Sequence, residues 1–291
     1  MNYRDRDGRK VGGDTGQDQF LKHLYGNEAG RALLRILIRP WVSKLGGLLM
    51  DSPISKIGIR PFVEKNHIDL SMCEKKKFRS YNDFFTRKLV EGARVFEGDE
   101  HTLVSPCDGK VSVYPISDEA GRENVFRIKD TLYTTSSLLR SSKLAKQYEG
   151  GYALVFRLTV DDYHRYCYVA DGEKSKNYHI QGVFHTVNPV ANDMYPIYKE
   201  NTREYSLLKT KQFKTILMME VGALMVGRIT NYDEEATVKR GQEKGRFEFG
   251  GSTIILLLQK DAAIIDKDLI RNTEEEYETI VKMGEKIGTA K

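Results

Sequence analysis

Short β-rich runs follow one another from near Thr102 to Lys260. Val, Ile, Tyr, Phe and Thr are concentrated in the runs, and Gly, Asp, Asn and Pro separate them, as in strands joined by turns. The runs are KVSVYPI, YALVFRLTV, HRYCYVA, GVFHTVNPV, KTILMMEVGALMVGRI and GSTIILLLQK. They predict a mainly antiparallel, β-rich domain that follows a helical N-terminal region, which is an α+β fold.

The composition is that of a globular protein, because 40% of the 291 residues are hydrophobic. The net charge of +5 is a mild excess of 46 basic over 41 acidic residues, so a nucleic-acid partner is not predicted. Three cysteines without a C-x-x-C pair support neither a disulfide framework nor a structural zinc site. Residues 1 to about 20 lack the apolar segment of a signal peptide and predict a poorly ordered polar tail inside the cell.

Residues 31–50, RALLRILIRPWVSKLGGLLM, are the most apolar stretch of the first third. On a helix, Arg31, Arg35 and Arg39 form one stripe, and the apolar side chains cover the opposite face. Pro40 predicts a break into two short helices, and the basic residues argue against a membrane span. Two interpretations stay open: the segment lies in a membrane interface, which we favour, or it packs on the protein's own core.

Three further predictions concern local structure. Residues 51–100 are polar and predict helix, with Asn82 or Asp83 capping a helix start in YNDFFTRKL. Residues 272–288 predict a last helix. The stretch GRFEFGGSTIILLLQK predicts a β-hairpin that turns at Gly250-Gly251.

Asp108, His164 and Ser252 could carry chemistry if the fold brings them together. A serine nucleophile needs an adjacent base and a third group that orients the base, and His164 and Asp108 could supply both. On pattern alone, these positions are equally compatible with a turn, a structural histidine and a hairpin. His164 and Cys167 are too few ligands for zinc, and no glycine fingerprint for phosphates is present, so neither a metal nor a nucleotide is predicted.

The segments YNDFFTRKL, SPCDGKV, DYHRYCY, FHTVNP, NTREYSLL, VGALMVGRI and GRFEFGGSTIILLLQK occur in this order. Together they resemble phosphatidylserine decarboxylases, which are pyruvoyl-dependent enzymes that make phosphatidylethanolamine. The resemblance extends from about Tyr25 to Lys260. It implies a proenzyme that cleaves itself at Gly251-Ser252 into a β chain of residues 1–251 and an α chain of residues 252–291.

The resemblance also implies residue roles. Ser252 attacks the Gly251 carbonyl, His164 takes the hydroxyl proton as general base, and Asp108 orients the imidazole and stabilises its charge. Elimination of the resulting ester and loss of ammonia convert Ser252 into a covalent pyruvoyl group. This group forms a Schiff base with the substrate amine and accepts the electrons left by CO2.

One position departs from the family pattern. Cys167 stands where some relatives carry a second histidine. His164 is therefore expected to serve both self-cleavage and decarboxylation, or to share the second step with another donor such as His185.

The expected organisation is a polar tail and helical, membrane-associating region in residues 1–100, followed by the catalytic domain in residues 101–291. The expected partners are phosphatidylserine, an anionic membrane surface, the two chains of one proenzyme and a second copy in a homodimer. The resemblance places the protein peripherally on the cytoplasmic face of the cell membrane. Two alternatives remain: a related pyruvoyl decarboxylase acting on another serine lipid or a soluble amino acid, and a noncatalytic β-rich binding module.

Overall fold

The structure is a computed structural model that describes residues 2–12, 24–25, 28–119, 122–128, 131–186, 197–223, 228–248 and 252–291. Ser252 lies within the described residues. Gly250 and Gly251, which include the predicted scissile carbonyl, lie outside them.

The secondary structure of the described residues is numbered along the chain. The strands are β1 (Tyr3–Arg4), β2 (Lys10–Val11), β3 (Thr102–Val104), β4 (Gly109–Pro115), β5 (Ser117–Glu119), β6 (Arg122–Ile128), β7 (Thr131–Thr134), β8 (Tyr152–Leu158), β9 (Arg165–Cys167), β10 (Gly172–Lys174), β11 (Tyr178–Ile180), β12 (Arg203–Lys209), β13 (Thr215–Val221), β14 (Ile229–Asn231), β15 (Ala236–Val238), β16 (Glu243–Phe247), β17 (Ser252–Leu258), β18 (Ala263–Ile265), β19 (Glu278–Val281) and β20 (Lys286–Ala290). The helices are α1 (Glu28–Leu37), α2 (Pro40–Asp51), α3 (Ile59–Lys65), α4 (Tyr81–Phe85), α5 (Thr135–Leu139), α6 (Ser142–Ala145), α7 (Ile197–Glu200) and α8 (Lys267–Glu274), and 3-10 turns span Pro53–Gly58 and Lys146–Tyr148.

One large sheet organises the fold, with the strand order β15-β10-β12-β13-β17-β8-β4-β19-β1-β2 and β11 beside β12. β17 is its buried centre and pairs antiparallel with β13 and β8. Alternate β17 side chains enter two hydrophobic clusters, with Ile254 and Leu256 in one and Ile255 and Leu257 in the other. The continuous apolar run STIILLL thus reflects burial on both faces. The predicted α+β class with mainly antiparallel strands is confirmed.

The predicted hairpin across Gly250-Gly251 is wrong. β16 pairs with β14 and β9 in a separate three-stranded sheet, whereas β17 belongs to the large sheet. The physical reason is that a strand that is apolar on both faces is better buried between two strands of the large sheet than beside the more polar β16. The chain therefore crosses from one sheet to another between Phe247 and Ser252.

Residues 2–12 do not form the expected poorly ordered tail. β1 pairs parallel with β19 and antiparallel with β2. The Arg6 guanidinium donates to Asp266 at 2.9 Å and to Asp268 at 2.5 Å, and it lies 3.4 Å from Glu285. The charges that suggested a solvated tail instead complement an acidic cluster distant in sequence.

The predicted last helix is also wrong over most of residues 272–288. α8 ends at Glu274, and β19 and β20 follow. Thr279, Ile280 and Val281 are β-branched and therefore favour a strand. Their strand, β19, pairs with β4 in the large sheet.

Two short helices meet at Arg39-Pro40, as predicted, and Pro40 begins α2. α1 packs on the core through Leu34, which is buried, so core packing holds for α1. α2 instead leaves Trp41 and Leu45 exposed. Among the described residues, no helix is long and apolar enough to cross a membrane.

Residues 51–100 are less helical than predicted, because they contain only one 3-10 turn and the short helices α3 and α4. Ser80, rather than Asn82 or Asp83, caps α4 by accepting a hydrogen bond from the Asp83 amide at 3.1 Å. The helix buries Phe84 and Phe85.

Candidate active site

His164 lies in a closed environment immediately before β9. Its ring is buried, and the Phe85 ring lies 4.0 Å away, measured between ring centroids. Nδ1 lies 3.0 Å from the Asp162 main-chain carbonyl oxygen, while Nε2 is buried and has no hydrogen-bond partner within the described ranges. With the proton assigned to Nδ1, which then donates to the carbonyl, Nε2 carries the free lone pair. Burial lowers the pKa of His164 to about 4, so the imidazole is neutral at neutral pH.

Ser252 is the first residue of β17, and its buried hydroxyl has no hydrogen-bond partner in the part of the chain that the structure describes. It pairs with Leu158 at the end of β8. Before the crossing between sheets, the Phe247 amide donates to the main-chain oxygen of His164 at 2.9 Å. The segment that contains the predicted scissile bond is thus anchored at one end beside His164 and ends at Ser252. This arrangement places the predicted base and nucleophile at opposite ends of the same crossing.

Asp108 is buried, but its carboxylate is held by other groups. Arg94 donates to it through Nε at 3.0 Å and Nη2 at 2.6 Å, and the Met283 amide donates at 2.9 Å. Lys282 Nζ lies 3.4 Å away. No hydrogen bond joins Asp108 to His164 within the part of the chain that the structure describes. The role of Asp108 as the orienting group for His164 therefore stays a prediction.

Asp162 is the residue that sequence reasoning missed. Its main-chain oxygen faces His164 Nδ1, and its carboxylate accepts from Lys110 Nζ at 2.7 Å and from the Thr159 amide at 2.7 Å. Burial alone would raise the pKa of the Asp162 carboxyl, but Lys110 and the Thr159 donors hold that pKa below its usual value. A threonine three residues before an aspartate, ahead of the histidine, was the available signal, because such pairs close local turns.

The cysteines are poor nucleophiles in this setting. Cys107 and Cys167 are both buried, and burial raises the pKa of each thiol above its usual value. The thiolate is the reactive form of cysteine, so burial disfavours thiol chemistry here.

His185 is buried and has its own hydrogen-bond partners. Its Nδ1 is 3.4 Å from the Tyr25 hydroxyl, and its amide donates to the Asn201 side chain at 2.9 Å. Burial lowers the pKa of His185 to about 4. Its predicted part in decarboxylation stays a prediction.

Known proteins that are similar to this chain belong to the same family that its ordered motifs resemble. The family model described as phosphatidylserine decarboxylase matches residues 81–289. Phosphatidylserine decarboxylase proenzyme 2 of Clostridium acetobutylicum is 44% identical over 92% of this chain and 91% of its own. The phosphatidylserine decarboxylase proenzymes of Ruminiclostridium cellulolyticum and Fusobacterium nucleatum are 42% and 41% identical, each over 93% of this chain and 91% of their own. This chain belongs to the phosphatidylserine decarboxylase family of enzymes.

Proposed function

We propose that the protein decarboxylates phosphatidylserine to phosphatidylethanolamine with a pyruvoyl group formed from Ser252 by cleavage of the Gly251-Ser252 bond. The observation that carries the proposal is that Ser252 Oγ and His164 Nε2 are both buried and have no hydrogen-bond partner among the described residues. Leaving a buried polar atom unpaired costs about 1–3 kcal/mol, so such atoms call for a functional explanation. The two unpaired atoms are explained if Ser252 is the nucleophile and His164 is the base of one reaction.

The self-cleavage uses groups of this chain. Ser252 Oγ attacks the carbonyl carbon of Gly251 while Nε2 of His164 takes the hydroxyl proton, so the peptide bond becomes an ester. Elimination breaks the ester and leaves a carboxylate at residue 251. Hydrolysis of the remaining unsaturated amine releases ammonia and leaves a pyruvoyl group at position 252.

A pyruvoyl group at position 252 would take the place of a side chain that is fully buried at the start of β17. Such a group would supply a carbonyl that can take up the serine amine and withdraw the electrons left by CO2. His164 is neutral because of its lowered pKa, so it is available to accept a proton. Asp108 completes the proposed catalytic set as the group that stabilises the charge on His164, and its carboxylate pairs with Arg94 in the structure.

The proposal includes a peripheral position on the cytoplasmic face of the cell membrane. The exposed apolar side chains of α2 support an interfacial contact, since a lipid substrate must be reached at the bilayer surface. They also favour a lipid over a soluble amino acid as the substrate. The β and α chains of one proenzyme, and two copies in a homodimer, form the proposed assembly.

Mass spectrometry under denaturing conditions tests the proposal. Purified wild-type protein should give two chains, with an α chain that starts at position 252 and is blocked to amine reagents. Ser252→Ala should remain one chain of 33.3 kDa. Ser206→Ala is the matched control, because the buried Ser206 hydroxyl in β12 also has no partner among the described residues. This variant should be cleaved normally. A wild-type protein that stays intact would refute the proposal.

A further inference from the structure

Arg87 differs from the other buried cations of the protein. Among the described residues, six lysine and arginine side chains are buried. Lys110, Arg157 and Lys244 form ion pairs at 2.7, 2.5 and 2.9 Å, respectively. Lys174 and Arg203 are surrounded by oxygen acceptors. Arg87 has neither arrangement.

The Arg87 guanidinium makes few polar contacts. The residue is 7% exposed. Nη2 is 3.4 Å from the Asp162 main-chain oxygen, which is a long hydrogen bond, and the thiol of Cys73 is a weak side-chain partner. Nη1 has no oxygen or nitrogen partner among the described residues. The rest of the cation lies over the Phe84 ring, 5.2 Å from its centroid. A buried charge without an anion is costly, so this arrangement predicts an anion that the described residues do not supply.

The neighbouring carboxylates are already neutralised. Asp108 pairs with Arg94 at 2.6 Å, and Asp162 pairs with Lys110 at 2.7 Å. Asp108 and Asp162 are each closer to another cation than to Arg87. The positive charge of Arg87 is therefore left over in a region that already balances its acids.

The position of Arg87 places this charge at the candidate active site. Its Nη2 and His164 Nδ1 both face the same Asp162 oxygen. Phe85, two residues before Arg87, lies against the His164 ring. An anion bound to Arg87 would therefore lie near the groups that are proposed to act on the substrate.

We propose that Arg87 binds the phosphodiester of the serine phospholipid headgroup. This inference rests on the proposed function, whose substrate carries a phosphate and a carboxylate. The carboxylate loses its charge as CO2 leaves, so a guanidinium bound to it would stabilise the substrate more than the transition state and slow the reaction. The phosphate keeps its charge throughout, so its binding raises affinity without that penalty. Guanidinium donors also match phosphate oxygens in geometry.

Steady-state kinetics with soluble short-chain phosphatidylserine test this assignment. Arg87→Gln should raise KM about 10- to 100-fold, the effect of losing a charge-assisted hydrogen bond, and should change kcat by less than about threefold. Short-chain phosphatidylethanolamine, which has the phosphate but no carboxylate, serves as a competitive inhibitor. Its inhibition constant should rise by the same factor as KM.

Controls separate binding from folding. Lys88→Gln removes the neighbouring exposed charge, which pairs with Glu74, and should leave both constants unchanged. Arg87→Lys keeps the charge but loses the planar pair of donors, so it should give a smaller rise in both constants. Each variant is first checked for two chains by mass spectrometry, so that only cleaved protein is compared.

Two results would overturn the inference. If KM for phosphatidylserine rises while inhibition by phosphatidylethanolamine is unchanged, Arg87 contacts the carboxylate instead. If kcat falls while KM is unchanged, Arg87 acts through His164 and does not bind the phosphate. Failure of the proposed function would look different, because the wild-type chain would then show neither cleavage nor turnover.

Discussion

At the scale of single residues, the environment of His164 determines how it can act. The Asp162 oxygen faces one ring nitrogen and leaves the other free, and the Phe85 ring covers one side. Desolvation penalises the charged imidazolium, which is the main cause of the low pKa, and the nearby Arg87 cation acts in the same direction. The neutral form needed by a general base is therefore maintained well below neutral pH.

The rate of self-cleavage should consequently be insensitive to pH from about 8 to 5.5 and should fall toward pH 4, since burial lowers the pKa of His164 to about 4. The rate falls at low pH because the lone pair on Nε2 is lost when the imidazole binds a proton. The measurement is the appearance of the α chain after dilution of unfolded protein into buffers of different pH, with circular dichroism confirming folding at each pH. A half-maximal rate near pH 6.5 would indicate a solvated histidine and contradict the prediction.

At the scale of elements, the proposed cleavage would leave two chains that share one sheet. The α chain would begin with β17, which lies between β13 and β8 of the β chain. Near one edge of the same sheet, β1 of the β chain pairs with β19 of the α chain. Arg6 donates to Asp266 and Asp268, which also belong to the α chain. Residues 2–12 therefore help to hold the α chain in place.

Arg6→Ala should lower the free energy of unfolding by about 1–3 kcal/mol, because it removes charge-assisted hydrogen bonds in a half-buried cluster. Arg9→Ala is the matched control. Arg9 pairs with Asp7 at 3.7 Å, both side chains are exposed, and such pairs contribute little. Urea unfolding followed by fluorescence provides the comparison. Equal destabilisation by the two changes would mean that the Arg6 cluster does not secure this end of the sheet.

At the scale of the whole molecule, the apolar side chains that remain exposed are concentrated on one stretch. We define the α2 apolar surface by its exposed members, which are Trp41, Leu45, Leu48, Leu49, Ile54 and Ile57. An adjoining groove is lined partly by apolar side chains and partly by four basic residues, Lys56, Arg60, Lys76 and Lys77. An apolar surface beside basic groups is suited to an anionic bilayer interface.

Leu48→Asp combined with Ile57→Asp should reduce binding to phosphatidylserine-containing liposomes about tenfold or more, because each apolar side chain of this size gains about 1.5–3 kcal/mol when it leaves water. Ile264→Asp is the control, since Ile264 is exposed in β18, away from this surface. Flotation of cleaved protein with liposomes measures the bound fraction. Undiminished flotation of the double variant would show that the α2 apolar surface is not the membrane contact.

Local patterns predicted much of the fold. The β-rich runs became β4, β8, β13 and β17, and Pro40 marks the break between α1 and α2. The predictions failed where distant residues decide the outcome. Residues 2–12 were expected to be a tail, and residues 272–288 a helix, because their partners in the large sheet are remote in sequence.

Strand content, family and candidate residues could be predicted from the amino-acid sequence, since they depend on residue types and their order along the chain. The fold was needed to show that β16 and β17 lie in different sheets, that Asp108 pairs with Arg94, and that Arg87 has no counter-ion among the described residues. The reason is physical. Burial and ion pairing depend on which distant groups meet in space, and the free energy of a charge changes with those neighbours more than with its position in a motif.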